Sequence, residues 1–245
     1  MKQTSFPALS AIVLALAAGS AHAAITNGNF NGLDGWAVAG DAASIPTDGT
    51  HLVLTDAFSD GSDDVLTDGK NHNVSHSDPL PTGGGAGSLE DFVGLAGGAF
   101  DLDPTHVVQA AEGSAAMQTF TAAAGGSLSF RWNFGTTETD PSLADFAFVV
   151  IDGQVMTLAD AIPTATGTDF PTETGWQSFS TALGAGSHTI AFGVVDIGST
   201  ADSSALAIGD VAFGASAVPE SSTMAMFGAG LGLLAMLQRR RRTNA

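Results

Sequence analysis

Between residues 127 and 132 apolar and polar residues alternate without a break: Leu128, Phe130 and Trp132 fall on one side, Ser127, Ser129 and Arg131 on the other. A period of two belongs to a β-strand with one buried face. The same reading applies to 52–54, 115–120, 176–179, 188–195 and 205–213. The run Phe146-Ala147-Phe148-Val149-Val150-Ile151 is apolar on both faces, which predicts a central strand, and Asp152-Gly153 after it predicts a tight hairpin returning through Val155 and Met156. Many short strands at this spacing, separated by Gly and Asp turns, predict an antiparallel sandwich rather than a helical or α/β fold. A single hydrophobic core is expected, with no internal repeat.

Residues 56–87 are polar, acidic and glycine-rich, and predict a long irregular loop made supple by Gly83, Gly84 and Gly85. A short helix is expected over 89–95.

The two ends differ from the body. Lys2, the apolar run 8–19 and the small-x-small triplet Ala21-His22-Ala23 predict a secretory signal cut between Ala23 and Ala24. At the other end, residues 224–237 are apolar and uncharged, and Arg239, Arg240, Arg241 and Arg242 follow at once. This predicts a marginal membrane helix whose basic tail stays cytoplasmic. Gly228 and Gly232 are spaced for close helix packing, or simply suit a short membrane segment. Residues 1–23, 24–217 and 218–245 are therefore read as signal, exported body and anchor.

The body has a charge that excludes one class of partner. Twenty-four of the 25 acidic residues, but only Lys70 and Arg131 of the seven basic ones, lie within 24–217, leaving about 22 net negative charges there. Nucleic acid is excluded as a partner because binding it requires phosphate neutralisation. Cysteine is absent, which removes thiol catalysis and thiolate metal sites. No nucleophile elbow, phosphate loop or dinucleotide fingerprint occurs, and the histidines show no converging set for zinc.

Val218-Pro219-Glu220-Ser221, followed by the apolar helix and the arginine cluster, resembles the PEP-CTERM sorting signal. Ser221 stands where that family has its second proline. The resemblance implies processing by an exosortase-type enzyme after Sec export and signal-peptidase cleavage. It implies transient anchoring in the inner membrane, then a place at the cell surface or in the extracellular matrix. Stretches from Glu112 to Phe213, such as Leu128-Ser129-Phe130 and Gly175-Trp176-Gln177, resemble a recurrent domain of such surface proteins.

Asn27-Gly28-Asn29-Phe30-Asn31 with Gly35-Trp36, together with Gly209-Asp210-Val211 at the far end, resembles galactose-binding-like and carbohydrate-binding-module jelly rolls. The implied fold is one jelly-roll-like sandwich, flanked by a signal helix and a C-terminal hydrophobic helix. The resemblance implies a structural Ca²⁺ near Asn29, Asn31 and Asp210, with Asn31 replacing the family's usual glutamate. Trp36 and Trp176, each following a glycine at a strand start, are candidates for stacking on sugars as exposed aromatics of such modules do, with burial in the core as the alternative.

From the residues themselves, two further acidic groups suit an oxygen-loving cation: Asn133, Glu138, Asp140 and Asp145, and Asp196, Asp202 and Asp210. Asp60, Gly61, Asp63 and Asp64 lack the EF-hand spacing. Solvated turn residues would explain the same acids. The expected function is non-enzymatic and structural or adhesive, in an envelope or biofilm. The alternatives are a carbohydrate-binding module that takes exopolysaccharide, and a carboxylate-dependent glycan hydrolase.

Overall fold

The computed structural model describes residues 25–46, 49–61, 72–101, 108–160, 170, 172–198 and 200–215. The expected signal, sorting motif, membrane helix and arginine tail lie outside the described residues, as do Asp63 and Asp64. Among the described residues no helix is long and apolar enough to cross a membrane.

Twelve strands and one short helix make up this part of the chain. The strands are β1 (Ala37–Ala39), β2 (Asp41–Ile45), β3 (His51–Thr55), β4 (Leu80–Pro81), β5 (Ala110–Ala122), β6 (Gly126–Thr136), β7 (Phe146–Ile151), β8 (Gln154–Ala159), β9 (Thr172–Glu173), β10 (Gln177–Leu183), β11 (Gly186–Ile197) and β12 (Ser204–Ala215). The helix α1 (Leu89–Val93) lies between β4 and β5. They form two antiparallel sheets. The first runs β1-β5-β11-β7-β8, with β4 added on β5. The second runs β10-β6-β12-β3-β2, with β9 added on β6. From β5 onward the chain passes between the sheets at every step except β7 to β8 and β9 to β10. This gives each sheet long strands paired non-sequentially.

Period-two alternation decides what lies between the sheets. Leu128, Phe130, Trp132 and Phe134 of β6 meet Ile190, Phe192 and Val194 of β11 in one core, joined by Leu52, Leu54, Leu206 and Ile208. In β12 the inward phase changes from Leu206 and Ile208 to Val211 and Phe213. The register against β6 shifts between Gly209 and Ala212, a bulge that lets both pairs face inward.

The doubly apolar β7 is explained by a second, smaller core that the sequence reading did not anticipate. Ala147, Val149 and Ile151 face the central core. Phe146, Phe148 and Val150 face outward beneath Leu89 and Val93 of α1 and Phe100. The hairpin after β7 is as expected: Asp152 and Gly153 both have positive φ (51° and 76°), which closes a two-residue turn between right-twisted strands.

The helix is shorter than 89–95 because it is capped tightly. The Ser88 side chain accepts from the Asp91 N–H, and Gly94 adopts the left-handed C-cap. Part of the expected loop is built into the sandwich. Leu80–Pro81 pairs with β5, and residues 73–75 close over the buried carboxylate of Asp41. Its Oδ2 accepts from the Val74 N–H (2.7 Å) and from the Thr55 hydroxyl. Its Oδ1 accepts from the Ser75 N–H (2.7 Å) and hydroxyl (2.6 Å).

Candidate functional site

Two arrangements stand out: an aromatic platform on the outer face of the second sheet, and a sealed group of carboxylates at one end of the sandwich.

The platform follows from strand alternation. With Leu128, Phe130 and Trp132 inward, Arg131 must project from the outer face of β6, opposite Gly209 of β12. His51 opens β3, and Trp176 directly precedes β10. Gly209 has no side chain, and a Cβ there would sit 3.8 Å from both the Arg131 guanidinium and the Trp176 ring and 3.9 Å from His51 Cβ. These three side chains thus gather over one bare patch of backbone. The Arg131 guanidinium carbon lies 4.9 Å from the Trp176 ring centroid, and the His51 ring meets that indole edge-on at 5.7 Å. Arg131 Nε also donates to Asp210 Oδ2 at 2.6 Å. Each contact is weak in solvent, a surface ion pair contributing about 0–1 kcal/mol and an exposed cation–π contact about 0.5–1 kcal/mol. Their combined effect is to hold the indole in place. Trp176 remains 42% exposed. Polar groups lie alongside: Asn133 donates to Glu173 (3.0 Å), and Gln177 to the Thr174 carbonyl (3.1 Å).

The other tryptophan named from the sequence is not available to a sugar. Trp36 is buried, its ring packed on Phe30 (5.0 Å) and Phe192 (5.8 Å), with its indole N–H donating to the Asn27 carbonyl. Asn29 and Asn31 lie exposed in the turn that carries Phe30 into the core. The backbone of that turn does reach the last strand, the Val211 N–H donating to the Gly28 carbonyl at 2.9 Å. Asp210, however, falls in the β12 bulge with φ +54° and turns outward to Arg131. The Asp210 carboxylate is thus engaged by Arg131, while the Asn29 and Asn31 side chains lie exposed.

The carboxylates that do converge come from three separate strand ends. Asp56 follows β3, Asp145 precedes β7, and Asp196 is the penultimate residue of β11. Each offers an oxygen, and the three oxygens lie within 4.8 Å of one another. All three residues are buried, with exposures of 1%, 4% and 2%. Asp56 Oδ1 accepts from the Ser204 N–H (2.6 Å). Asp145 Oδ1 accepts from the Ile197 N–H (2.9 Å), and its Oδ2 from the Ser204 hydroxyl (2.6 Å). Asp56 Oδ2 and Asp196 Oδ1 have no hydrogen-bond partner among the described residues.

Burial and mutual repulsion raise these groups. Loss of solvent, then the charges of Asp145 and Asp196, holds Asp56 well above the carboxylate range. Loss of solvent, against its bonds to Ser204 and Ile197, brings Asp145 to about 7. Loss of solvent, followed by Asp145, Glu112, Asp202 and Glu138, carries Asp196 to about 9. Arg131, the only described Lys or Arg, is engaged by Asp210 at the platform.

The structure thus takes Asp145 from one expected acidic group and Asp196 from the other, and adds Asp56, which no local pattern marked. Asn133 is drawn to Glu173. Asp140 is an exposed turn residue whose carboxyl is lowered by the Ser142 N–H and hydroxyl. Glu138 and Asp202 stand near enough to act electrostatically on Asp145 and Asp196.

No protein-family model matches the chain, and no curated protein matches it. Among solved structures it is similar to the enzymatically active domain of bacteriophage CBA120 tailspike protein 4, at 17% identity and a TM-score of 0.32, covering 78% of this chain and 21% of that one. It is also similar to a family 35 carbohydrate binding module from an environmental isolate, at 18% identity and a TM-score of 0.24, covering 42% of this chain and 72% of that one. The chain spans about a fifth of the tailspike chain.

Proposed function

We propose that this chain is a non-enzymatic, adhesive surface protein, exported and sorted through its two terminal segments, whose jelly-roll-like body attaches to polysaccharide through the outer face of its second sheet. The observation that carries the reading is Trp176: a large aromatic ring left 42% exposed yet fixed from two directions by Arg131 and His51. An indole held in this way offers a sugar ring a flat apolar surface at little entropic cost. Asn133, Glu173 and Gln177 supply donors and acceptors for its hydroxyls. The body's roughly 22 net negative charges repel an anionic polymer, so the favoured ligand is a neutral exopolysaccharide. Export rests on the signal-like N-terminus, and exosortase processing on Val218-Pro219-Glu220-Ser221 and its basic tail.

The test is electrophoresis of the full chain through gels containing a panel of neutral and acidic polysaccharides. Retardation by one or more neutral polymers is expected, and migration unaffected by every polymer rules the adhesive reading out. Mass spectrometry of the mature protein tests the sorting component separately. A retained Arg239–Arg242 tail contradicts processing.

A further inference from the structure

The buried carboxylates at the end of the sandwich are not among the residues of the proposed polysaccharide face. Their placement is costly. Three acids from three strand ends are withdrawn from water and brought together, where like charges repel. The hydrogen bonds from Ser204 and Ile197 satisfy some of the oxygens and leave Asp56 Oδ2 and Asp196 Oδ1 sealed, with no hydrogen-bond partner among the described residues. A buried carboxylate oxygen with no donor is rare, and a bound cation is one of the few things that satisfies it. Arg131 does not supply the balancing charge, because it is bound at the platform.

We propose that Asp56, Asp145 and Asp196 hold a calcium ion that ties the two sheets together at this end of the sandwich. Three oxygens within 4.8 Å of one another fit a single coordination sphere, since calcium–oxygen distances of about 2.3–2.6 Å put opposite ligands roughly 5 Å apart. The donors are all hard oxygens, with no imidazole or thiolate, which disfavours zinc. Several protein carboxylates in one dehydrated cage suit calcium better than magnesium, which keeps its waters. Asp56 directly follows β3 of the second sheet, whereas Asp145 directly precedes β7 and Asp196 lies in β11, both of the first. The ion would therefore bridge the layers. This site is distinct from Asn29, Asn31 and Asp210, whose carboxylate is spent on Arg131.

The full chain, kept in mild detergent, is stripped with EDTA and titrated with calcium chloride alone. One calcium per chain is expected by calorimetry. At calcium about 100-fold above its dissociation constant, the melting temperature should rise by roughly 5–10 °C, because the ion binds only the folded state. Asp196→Asn relieves repulsion, so in EDTA it should melt no lower than wild type, yet its calcium response should be lost. Asp140→Asn, which alters an exposed turn acid, should keep the full response. The proposal is overturned if wild-type melting is the same in EDTA and millimolar calcium, a comparison that stands whether or not the variant folds. It is also overturned if Asp196→Asn responds like wild type. Equal responses to magnesium and calcium overturn the choice of ion.

Discussion

Asp41→Asn keeps the shape of a fully buried carboxylate and turns one of its two oxygens into a donor. Four donors converge on that group: the Thr55 hydroxyl and Val74 N–H on Oδ2, and the Ser75 N–H and hydroxyl on Oδ1. Whichever way the amide is turned, its NH₂ faces one backbone N–H and one hydroxyl. The hydroxyl can rotate and accept, but the N–H cannot. One charge-assisted bond, worth about 1.5–3 kcal/mol net, is then lost, and the half-buried N–H is left to find water. The two bonds on the remaining oxygen fall to neutral strength, losing about 0.5–1 kcal/mol each, while the cheaper desolvation of an amide offsets part of the total. The expected loss is about 3 kcal/mol. Urea unfolding of the full chain should show this as a lower midpoint at unchanged slope. Limited proteolysis should become faster within 73–78, because Asp41 anchors that segment to β2. A loss below about 1 kcal/mol, or proteolysis there unchanged, would refute the claim that this carboxylate builds part of the expected loop into the fold.

Three further outcomes are expected. Gly193→Ala would place a Cβ 2.2 Å from Phe148 Cζ and 2.7 Å from the Ser114 carbonyl oxygen. Phe148 is packed against Phe100 and cannot retract, so a loss of about 3 kcal/mol is expected by chemical denaturation. Trp176→Ala should lower the melting temperature by only about 2–4 °C, since it removes surface contacts worth about 1 kcal/mol, yet should abolish retardation by polysaccharide. The His188–Asp152 pair (2.7 Å) gives a pH signature. The hydrogen bond that His188 donates to Asp152, against partial burial, raises the His188 pKa. Burial acts upward on Asp152, but its bonds to His188 and Thr189 lower it overall. The histidine's contribution is complete below its unfolded pKa and lost as pH rises through its folded value. The aspartate's contribution is present above its unfolded pKa and lost as pH falls through its folded value. Asp152→Asn should therefore narrow the gap in melting temperature between pH 6 and pH 8.5, and an unchanged gap would sink this reading.

Much of the sandwich was legible because a half-buried strand cannot hide its period. Leu128, Phe130 and Trp132 declared a face, and the structure places all three in the core. The doubly apolar β7 declared that both its faces are covered, but not by what. The cover is α1 and Phe100, and the sequence between them carries no periodicity long enough to announce it. Strands β1, β4 and β9 were missed because two or three residues are too few to establish a period, and β2 because Asp41-Ala42-Ala43-Ser44-Ile45 has no apolar–polar alternation. The site was less legible for a different reason. Asp56, Asp145 and Asp196 are far apart in the chain and meet only once both sheets are stacked, so local spacing grouped Asp145 with Asp140 and Asp196 with Asp202 and left Asp56 unmarked. Asp210 was misplaced by the β12 bulge, whose extra residue reverses the side to which the carboxylate points. Trp36 and Trp176 both follow a glycine, and nothing local distinguishes the ring that packs on Phe192 from the ring that meets solvent.

Hydrogen exchange of the full chain, with and without a neutral polysaccharide that retards it, tests the adhesive face most directly. Slowed exchange confined to β6, the Gly209 region of β12 and residues 174–177 is the predicted result. Protection falling instead on α1 and the outer face of β5, β7 and β11, with none around Trp176, would contradict it.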